Sequence, residues 1–199
     1  MKKTVLFVIL QQFADWESAY ISSAIKMLGN NKFEIKTVSV GKEPVQSIGG
    51  FSVLPDYGFD SIPKDYSALI LTGGLSWRTN AAHAVKPLVD DCLCRGSLLG
   101  GICDASAFLG TVGALNDVNH TANDLDDLIQ WAGERYTGKN KFVHKQAVRD
   151  KNIITANGTA TLEFAKEILI ALNVASDKAI SEWYEFHKLG VYTFGVPKM

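Results

Sequence analysis

The chain has 199 residues and a net charge of −1, and 47% of its residues are hydrophobic, as in an ordinary globular protein with a well-filled core. It contains no block of Lys and Arg, so binding to nucleic acid has no electrostatic support. No apolar run approaches the ~20 residues of a membrane span. Three cysteines define no disulfide framework, and this cysteine usage predicts a cytoplasmic protein.

Apolar runs of strand length alternate with segments of helical periodicity, which is the pattern of βαβ units on a parallel sheet. The first run, Thr4–Leu10, is too short for a signal peptide and no small-residue cleavage site follows it, so it predicts a buried strand. The elements that follow are predicted, in chain order, as a helix at Asp15–Leu28, a strand at Phe33–Val40, a hairpin or irregular excursion around Phe51–Leu54, a strand at Ala68–Leu71, a helix at Asn80–Cys94, a strand at Ser97–Ile102, helices at Asp104–Gly110 and His120–Trp131, strands at Phe142–Val148 and Asn152–Ala156, and a helix at Thr159–Leu172.

No linker, repeat or low-complexity segment interrupts this pattern, so we expect a single α/β domain over residues 1–199. Residues from about 176 to 199 form an aromatic-rich C-terminal extension. Such an extension packs either on the body of the domain or on a partner subunit.

The sequence Gly101-Ile102-Cys103-Asp104-Ala105 passes from a buried strand into a helix with no loop between them. A nucleophile at such an elbow has a strained backbone, and small residues two positions before and after it relieve the crowding. Gly101 and Ala105 occupy those two positions around Cys103. The start of the following helix favours a thiolate, so we expect a lowered thiol pKa. The alternative is a buried structural cysteine, the usual fate of a free cysteine.

Two further segments are expected at the carboxyl edge of the sheet, where α/β proteins bind their ligands. Gly73 and Gly74 follow a buried strand, and glycines there leave backbone N–H groups free to stabilise an oxyanion, although glycine pairs also occur in plain turns. Glu17 lies at the start of the first helix. It either meets the thiol as a protonated carboxyl whose pKa is raised by burial, or is an ordinary first-turn acid.

His120 is the histidine with the most suggestive position, because it follows Cys103 by a short interval and precedes a predicted helix. It is a candidate for the base or for an orienting group, although any single histidine is more often a surface or core residue. Cys92 and Cys94 lie two apart on a predicted helix and therefore point to different sides. They form no metal clip, and we expect no metal site.

Together these residues resemble the ThiJ/PfpI superfamily of class I glutamine-amidotransferase-like proteins. The likeness runs from Val5 to about Leu172. It depends on the Glu17 helix start, the Gly73-Gly74 pair, the Gly101-Ile102-Cys103 elbow, His120 before a helix, and Asn157-Gly158-Thr159 between the last strand and the last long helix.

This resemblance implies a flavodoxin-like three-layer sandwich, with a mostly parallel sheet and helices on both faces. It implies that Cys103 is the nucleophile, that Glu17 is the acid hydrogen-bonded to it, and that Gly73 and Gly74 contribute the oxyanion site. Members of the superfamily include intracellular cysteine peptidases, deglycase and glyoxalase-type enzymes, isocyanide hydratases and oxidative-stress proteins. They are commonly homodimers, and their cysteine chemistry needs no metal or organic cofactor.

Asp104 departs from the superfamily pattern. The peptidase-like members place a histidine directly after the cysteine, whereas this chain places a carboxylate there, which works against a thiolate and against a Cys–His dyad of that type. Asp104 either caps the new helix or turns to another partner, and we keep it among the residues of the oxyanion or substrate-binding site. No His-x-Glu pair occurs, which argues against a glutamine amidotransferase with a Cys–His–Glu triad.

Three functions are compatible with these features. The leading hypothesis is a cysteine hydrolase-type enzyme, of peptidase or deglycase/glyoxalase type, that acts on a small carbonyl, amide or peptide substrate without a cofactor. In it Cys103 attacks, and His120 or Glu17 moves the proton. The second is a redox or stress-responsive protein whose Cys103 is oxidised reversibly. The third is a non-catalytic binding module on the same fold.

Overall fold

The computed structural model describes residues 2–195, which form nine strands and eight α-helices. The strands are β1 (Lys3–Val8), β2 (Phe33–Ser39), β3 (Val45–Gln46), β4 (Ser52–Val53), β5 (Tyr57–Gly58), β6 (Ala68–Leu71), β7 (Leu98–Ile102), β8 (Ala147–Asp150) and β9 (Ile153–Ala156). The helices are α1 (Asp15–Leu28), α2 (Asn80–His83), α3 (Lys86–Arg95), α4 (Asp104–Thr111), α5 (Leu125–Ala132), α6 (Thr161–Ala171), α7 (Asp177–Leu189) and α8 (Val191–Phe194).

Seven of the strands form one sheet in the order β5-β2-β1-β6-β7-β9-β8. All neighbours in it are parallel except β8, which runs antiparallel to β9 at one edge. The remaining strands, β3 and β4, pair as a small antiparallel hairpin. Its second strand, β4, lies in the segment predicted as a hairpin or irregular excursion, and its first strand, β3, precedes that segment.

The sheet is buried between two layers of helices. Alternate residues of β1 point to opposite faces, so that Val5 and Phe7 pack in one core and Leu6 and Val8 in the other. Helices α1, α6 and α7 supply the first core, and helices α3, α4 and α5 supply the second. The predicted α/β three-layer sandwich is confirmed. In residues 2–195, no helix is long and apolar enough to cross a membrane.

Three predicted elements differ from the structure by more than a shift of one or two residues at an end. The helix predicted at Asn80–Cys94 is divided into α2 and α3, because Pro87 stands in the first turn of α3 and prefers a helix start to a helix interior. The helix predicted from His120 begins at Leu125, after Asp124, whose carboxylate accepts a hydrogen bond from the Asp127 N–H. The strand predicted at Phe142–Val148 is confined to β8 at its C-terminal end.

The aromatic C-terminal extension packs on the body of the domain through α7. Trp183 is buried against α6 and α1, and its ring lies edge-on to that of Tyr20, 6.4 Å away. The Tyr184 hydroxyl donates a hydrogen bond to the Glu163 carboxylate of α6 at 2.8 Å. Tyr192 on α8 is fully exposed. Residues 196–199 of the extension lie outside the described residues.

The topology brings the site residues to one edge of the sheet. The chain continues from β1 to β2 on one side and later returns to β6 on the other side of β1, so the order of the strands reverses between β1 and β6. Ligand sites of open α/β sheets lie beyond the carboxyl ends of the strands at such a switch point. Gly73 follows β6 there, Cys103 follows β7, and Gly158 follows β9.

Candidate active site

Cys103 is the single residue between β7 and α4, and its backbone is in the left-handed region with φ 59° and ψ −133°. Side-chain-bearing residues rarely adopt this conformation, and where they do it usually marks a functional site. A Cβ atom on Gly101 would lie 2.9 Å from a methyl carbon of Leu109 and 3.3 Å from the Ala105 carbonyl oxygen. A side chain at position 101 would force Leu109 and the start of α4 to shift, so glycine there relieves the crowding where the helix turns back over the strand. The predicted elbow is present.

Glu17 extends from the first turn of α1 to the same point and is 2% exposed. A Cβ atom on Gly73 would overlap the Glu17 carboxyl group and lie 2.7 Å from the Cys103 Cβ. The three residues therefore meet around one point, as the sequence predicts, and only glycine fits between the carboxyl and the cysteine.

Burial is the dominant influence on the Glu17 carboxyl and raises its pKa to about 7. The Cys103 thiol and the Gly73 N–H lie close enough to lower this pKa, but their effect does not offset the loss of water. Over residues 2–195, neither carboxyl oxygen has a hydrogen-bond partner of good geometry. Glu17 is thus a group that exchanges a proton near neutral pH, rather than an ordinary first-turn acid.

The Cys103 thiol has a raised pKa, which contradicts the lowered value expected from the helix start. Burial is the main cause, and the facing Glu17 carboxylate adds to it because two negative charges would lie side by side. Hydrogen bonds from the Asn123 amide and the Asp104 N–H act in the opposite direction. The local helix terminus is therefore outweighed by the surroundings that the fold builds around the sulfur.

Gly74 lies next to this cluster with φ +147°, in a conformation that favours glycine. A Cβ atom there would lie 2.7 Å from the Phe13 Cα, since the segment forms a bridge with the loop that leads into α1. The Gly73 carbonyl also accepts a hydrogen bond from the Ala14 N–H at 2.9 Å. These bonds fix the glycine pair beside both Glu17 and Cys103.

Asn123 is a site residue that the sequence analysis missed. Its Nδ2 group donates to the Cys103 Sγ at 3.3 Å and lies 3.5 Å from the Asp104 Oδ1, and its Oδ1 accepts from the Gly158 N–H at 2.8 Å. It stands in the loop before α5, 20 residues from the cysteine. No local pattern marks it, because only the packing of that loop against the ends of β7 and β9 brings it to the sulfur.

Asp104 turns away from the sulfur to a cation. Its Oδ2 accepts from the Arg78 Nε at 3.0 Å, and it makes no capping bond to α4. The same guanidinium group pairs with both carboxylate oxygens of Asp127, with one N–O distance of 3.0 Å, and stacks over the Trp131 ring at 4.5 Å. Arg78 therefore pairs with the carboxylate after the nucleophile, but it shares its one charge with Asp127, and Asp104 still acts to raise the pKa of the thiol.

His120 lies in the core, and its ring nitrogens contact Val118 and Tyr136 instead of Cys103. Its Nδ1 lies 2.8 Å from the Val118 carbonyl oxygen, its Nε2 lies 2.6 Å from the Tyr136 hydroxyl, and the side chain is fully buried. Burial also lowers the pKa of this imidazole. Because both ring nitrogens are engaged, neither is available to the thiol, and the base role considered for His120 gains no support.

A cleft of about 420 Å³ opens beside Asn123. Phe142 supplies an apolar part of its wall, and most of the remainder is polar. The polar side chains that line it include Asn123, Asp124, His144, Lys145, Gln146 and Asn157. A small polar molecule in this cleft would lie next to Asn123, which contacts the sulfur, whereas Cys103 itself does not line the cleft. Within residues 2–195, no group of three or more His, Cys, Asp or Glu side chains is arranged to hold a metal ion.

A buried carboxyl beside a cysteine on a strand-to-helix elbow, in a flavodoxin-like sheet, defines a class of α/β proteins with a cysteine centre. The chain belongs to the DJ-1/PfpI family, whose model matches residues 3–171. This match confirms the ThiJ/PfpI resemblance and the extent predicted for it. The aromatic extension lies beyond the matched residues.

Curated relatives and solved structures agree with this assignment. The chain is 36% identical over 194 residues to the uncharacterized protease YdeA of Bacillus subtilis, covering 96% of this chain and 94% of the relative. It is 31% identical to the uncharacterized protease YoaZ of the same organism, covering 94% and 91%. Among solved structures, the DJ-1 superfamily protein Atu0886 of Agrobacterium tumefaciens superposes with a TM-score of 0.85 at 35% identity, covering 94% of this chain and 98% of that one.

Proposed function

We propose that this chain is a cysteine-dependent hydrolase-type enzyme that acts on small carbonyl or amide compounds. The observation that carries the proposal is the meeting of Cys103 and Glu17 across Gly73, with the carboxyl pKa raised to about 7. A group with that pKa accepts and returns a proton at neutral pH. The family assignment and the word protease in the names of both Bacillus relatives support the proposal.

In the proposed reaction, the thiol proton passes to the Glu17 carboxylate as the Cys103 sulfur bonds to the substrate carbonyl carbon. The carbonyl oxygen becomes an alkoxide, which the Gly74 N–H and its neighbour stabilise. With an aldehyde, Glu17 returns the proton to the alkoxide and a hemithioacetal forms. With an amide, Glu17 protonates the leaving amine, a thioester remains, and water hydrolyses it to a carboxylic acid and regenerates the thiol.

The test is turnover by the wild type, Cys103→Ser and Cys94→Ser on glyoxal-type aldehydes, isocyanides and short peptides. Cys94 is exposed and lies away from the site, so it is a matched control. We expect Cys103→Ser to lose turnover and Cys94→Ser to keep it. Turnover that persists unchanged in Cys103→Ser would contradict the proposal.

One observation favours a second candidate, which is reversible oxidation of Cys103. The imidazole of His120 is engaged elsewhere, and a protonated Glu17 can donate a hydrogen bond to an oxygen added to the sulfur. Peroxide would convert the thiolate to a sulfenate with release of water. In a peroxide titration followed by mass spectrometry, Cys103 should be oxidised before the exposed Cys94. Equal oxidation of both cysteines would contradict this candidate.

A further inference from the structure

The amide of Asn123 has one possible orientation. The Gly158 backbone N–H can only donate, so the Asn123 atom 2.8 Å from it must be the acceptor Oδ1. The Nδ2 group is then directed toward the Cys103 Sγ at 3.3 Å. Gly158 also allows this approach, because a Cβ atom there would lie 2.9 Å from the sulfur and 3.5 Å from the Asn123 Oδ1.

The second hydrogen of the Nδ2 group faces a carboxylate that is itself fixed. The Asp104 Oδ1 lies 3.5 Å from Nδ2, and the Asp104 Oδ2 accepts from Arg78. Arg78 is held in turn by the bidentate pair with Asp127 and by stacking on Trp131. Stacking on Trp131 therefore positions Arg78, Arg78 positions Asp104, and Asp104 lies beside the Asn123 amide that contacts the sulfur.

We propose that Asn123 is a catalytic residue that stabilises the Cys103 thiolate by donating a hydrogen bond to it, and that Arg78, acting through Asp104, is a positioning residue for this bond. The inference rests on the proposed function for its catalytic meaning, since it assigns the group that favours the attacking form of the sulfur. A hydrogen bond to a charged atom is worth more than one to a neutral thiol, so the Asn123 bond strengthens when the proton leaves.

Two carboxyl groups and one cation surround this sulfur. Glu17 faces it from α1, Asp104 lies on its own helix, and Arg78 stands behind Asp104. The turn after β9 contributes only uncharged groups, and His144 and Lys145 line the cleft beyond Asn123. Arg78 shares its charge between Asp104 and Asp127, and without it the Asp104 charge near the thiolate would lose its ion pair. Arg78 therefore has an electrostatic role as well as a geometric one.

The test is the pH dependence of Cys103 alkylation by iodoacetamide, read by mass spectrometry of the peptide that contains Cys103. Asn123→Asp keeps the shape of the side chain and the acceptor for the Gly158 N–H, but it replaces the donor to the sulfur by an acceptor. We expect alkylation at pH 8 to fall about tenfold or more and the midpoint of the profile to move to higher pH. Asn31→Asp adds the same charge at the amino-terminal edge of the sheet and should leave the profile unchanged.

A second pair of variants tests Arg78. Arg78→Gln should slow alkylation about two- to fivefold, a modest factor because the ion pair is partly exposed. Arg78→Gln combined with Asp104→Asn should restore the wild-type rate, because the carboxylate near the sulfur that Arg78 pairs with is then gone. A merely structural role would leave the double variant no better than the single one.

The proposal is overturned if Asn123→Asp retains the wild-type profile, or if wild-type Cys103 is not alkylated at any pH. Thermal unfolding of each variant identifies a loss of reactivity that comes from misfolding, and Asn123→Ala then provides a second variant without the donor. Alkylation is measured without a substrate. A protein that turns over nothing but shows the Asn123 effect would contradict the proposed function alone.

Discussion

At the residue scale, Glu17 and Cys103 behave as one acid with two sites. When the pair loses its first proton, the remaining one lies either on the carboxyl, beside a thiolate, or on the sulfur, beside a carboxylate. Burial opposes both charges, and the second proton leaves only against the repulsion of the first charge. The reactive thiolate is therefore present as a minor form from about neutral pH upward, and its amount is set by Glu17.

Glu17→Gln should change the shape of the alkylation profile of Cys103. In the wild type, we expect reactivity to rise up to about pH 7, where Glu17 ionises, to level off, and to rise again when the second proton leaves. The variant has no carboxylate at position 17, so its profile should show one ionisation. Because the repulsion between that carboxylate and the Cys103 thiolate is gone, alkylation near pH 9 should be about tenfold faster. The measurement is the rate of iodoacetamide labelling from pH 5 to pH 10.

Glu34→Gln is the control for this experiment, because Glu34 is an exposed carboxylate at the amino-terminal half of β2. It should reproduce the wild-type profile. A single ionisation in both the wild type and Glu17→Gln would show that the two groups do not share a proton.

Gly73→Ala should damage both the site and the fold. The added methyl group would overlap the Glu17 carboxyl and lie 2.8 Å from the Ile102 carbonyl oxygen. Overpacking of this kind costs about 1–3 kcal/mol, which urea unfolding would detect. Gly41→Ala is the matched control, since a Cβ atom there meets nothing within 4 Å. Equal stability of the two variants would mean that the carboxyl and the cysteine do not approach as closely as described.

At the scale of elements, the sequence predicts those parts of the site whose residues all lie at one junction between a strand and a helix. The Cys103 elbow is readable because its glycine, cysteine and alanine are neighbours in the sequence and the crowding is local. Pro87 is an equally local signal for the start of α3, but it stands inside a helical pattern that hides the break between α2 and α3. Most of the alternating strands and helices are predictable for the same reason, because hydrophobic runs are local, but β3 and β5, of two residues each, are not predicted.

The contacts that determine the chemistry are not local. Asn123 reaches the sulfur from a loop whose path depends on where α5 begins, and the sequence prediction placed that beginning at His120. His120 is suggested by its position after Cys103 and before a predicted helix, yet it hydrogen-bonds to Tyr136 in the core. The raised thiol pKa likewise follows from burial and from Glu17, which come from elements distant in sequence. Such side-chain environments cannot be read from a single junction.

Asp124→Ala tests the element that carries Asn123. The Asp124 carboxylate accepts the Asp127 N–H at 2.8 Å, and loss of such an N-terminal cap costs about 1 kcal/mol. The free energy of unfolding in urea should fall by that amount. Asp126→Ala removes a carboxylate from the first turn of the same helix without removing the cap, and it should have a smaller effect. A larger loss in Asp126→Ala would contradict the assignment of the cap.

At the scale of the whole molecule, the burial of Glu17 should couple the stability of the fold to pH. Its pKa is about 7 in the folded protein and near 4.5 when unfolded, so the folded state holds the proton more tightly. The resulting stabilisation is complete below about pH 4.5 and is lost as the pH rises through 7. Relative to Glu17→Gln, the wild type should lose roughly 3 kcal/mol of unfolding free energy over this range.

Urea unfolding of both proteins between pH 4.5 and pH 8 measures this difference. The buried His120 has a lowered pKa and acts in the opposite direction as the pH falls, but it does so equally in both proteins. The difference between them therefore reports Glu17. A difference that does not vary with pH would show that burial does not raise the pKa of Glu17 above its value in the unfolded chain.

The homodimer implied by the family resemblance stays a prediction at this scale. Several apolar side chains that neighbour the site residues in the sequence are exposed. Among them, Trp16 is 49% exposed and Leu75 is 64% exposed. Analytical ultracentrifugation of the purified protein should give twice the mass of one chain. A mass of one chain at micromolar concentration would contradict the prediction.

The backbone of Cys103, with its positive φ, also has a consequence for protein engineering. Selection for stability alone would place glycine at this position, because glycine adopts such a conformation without strain. The free energy of unfolding of Cys103→Gly should therefore exceed that of the wild type by about 1 kcal/mol or more. A stability screen on this scaffold would then select against the cysteine, and a library built on it should hold position 103 fixed.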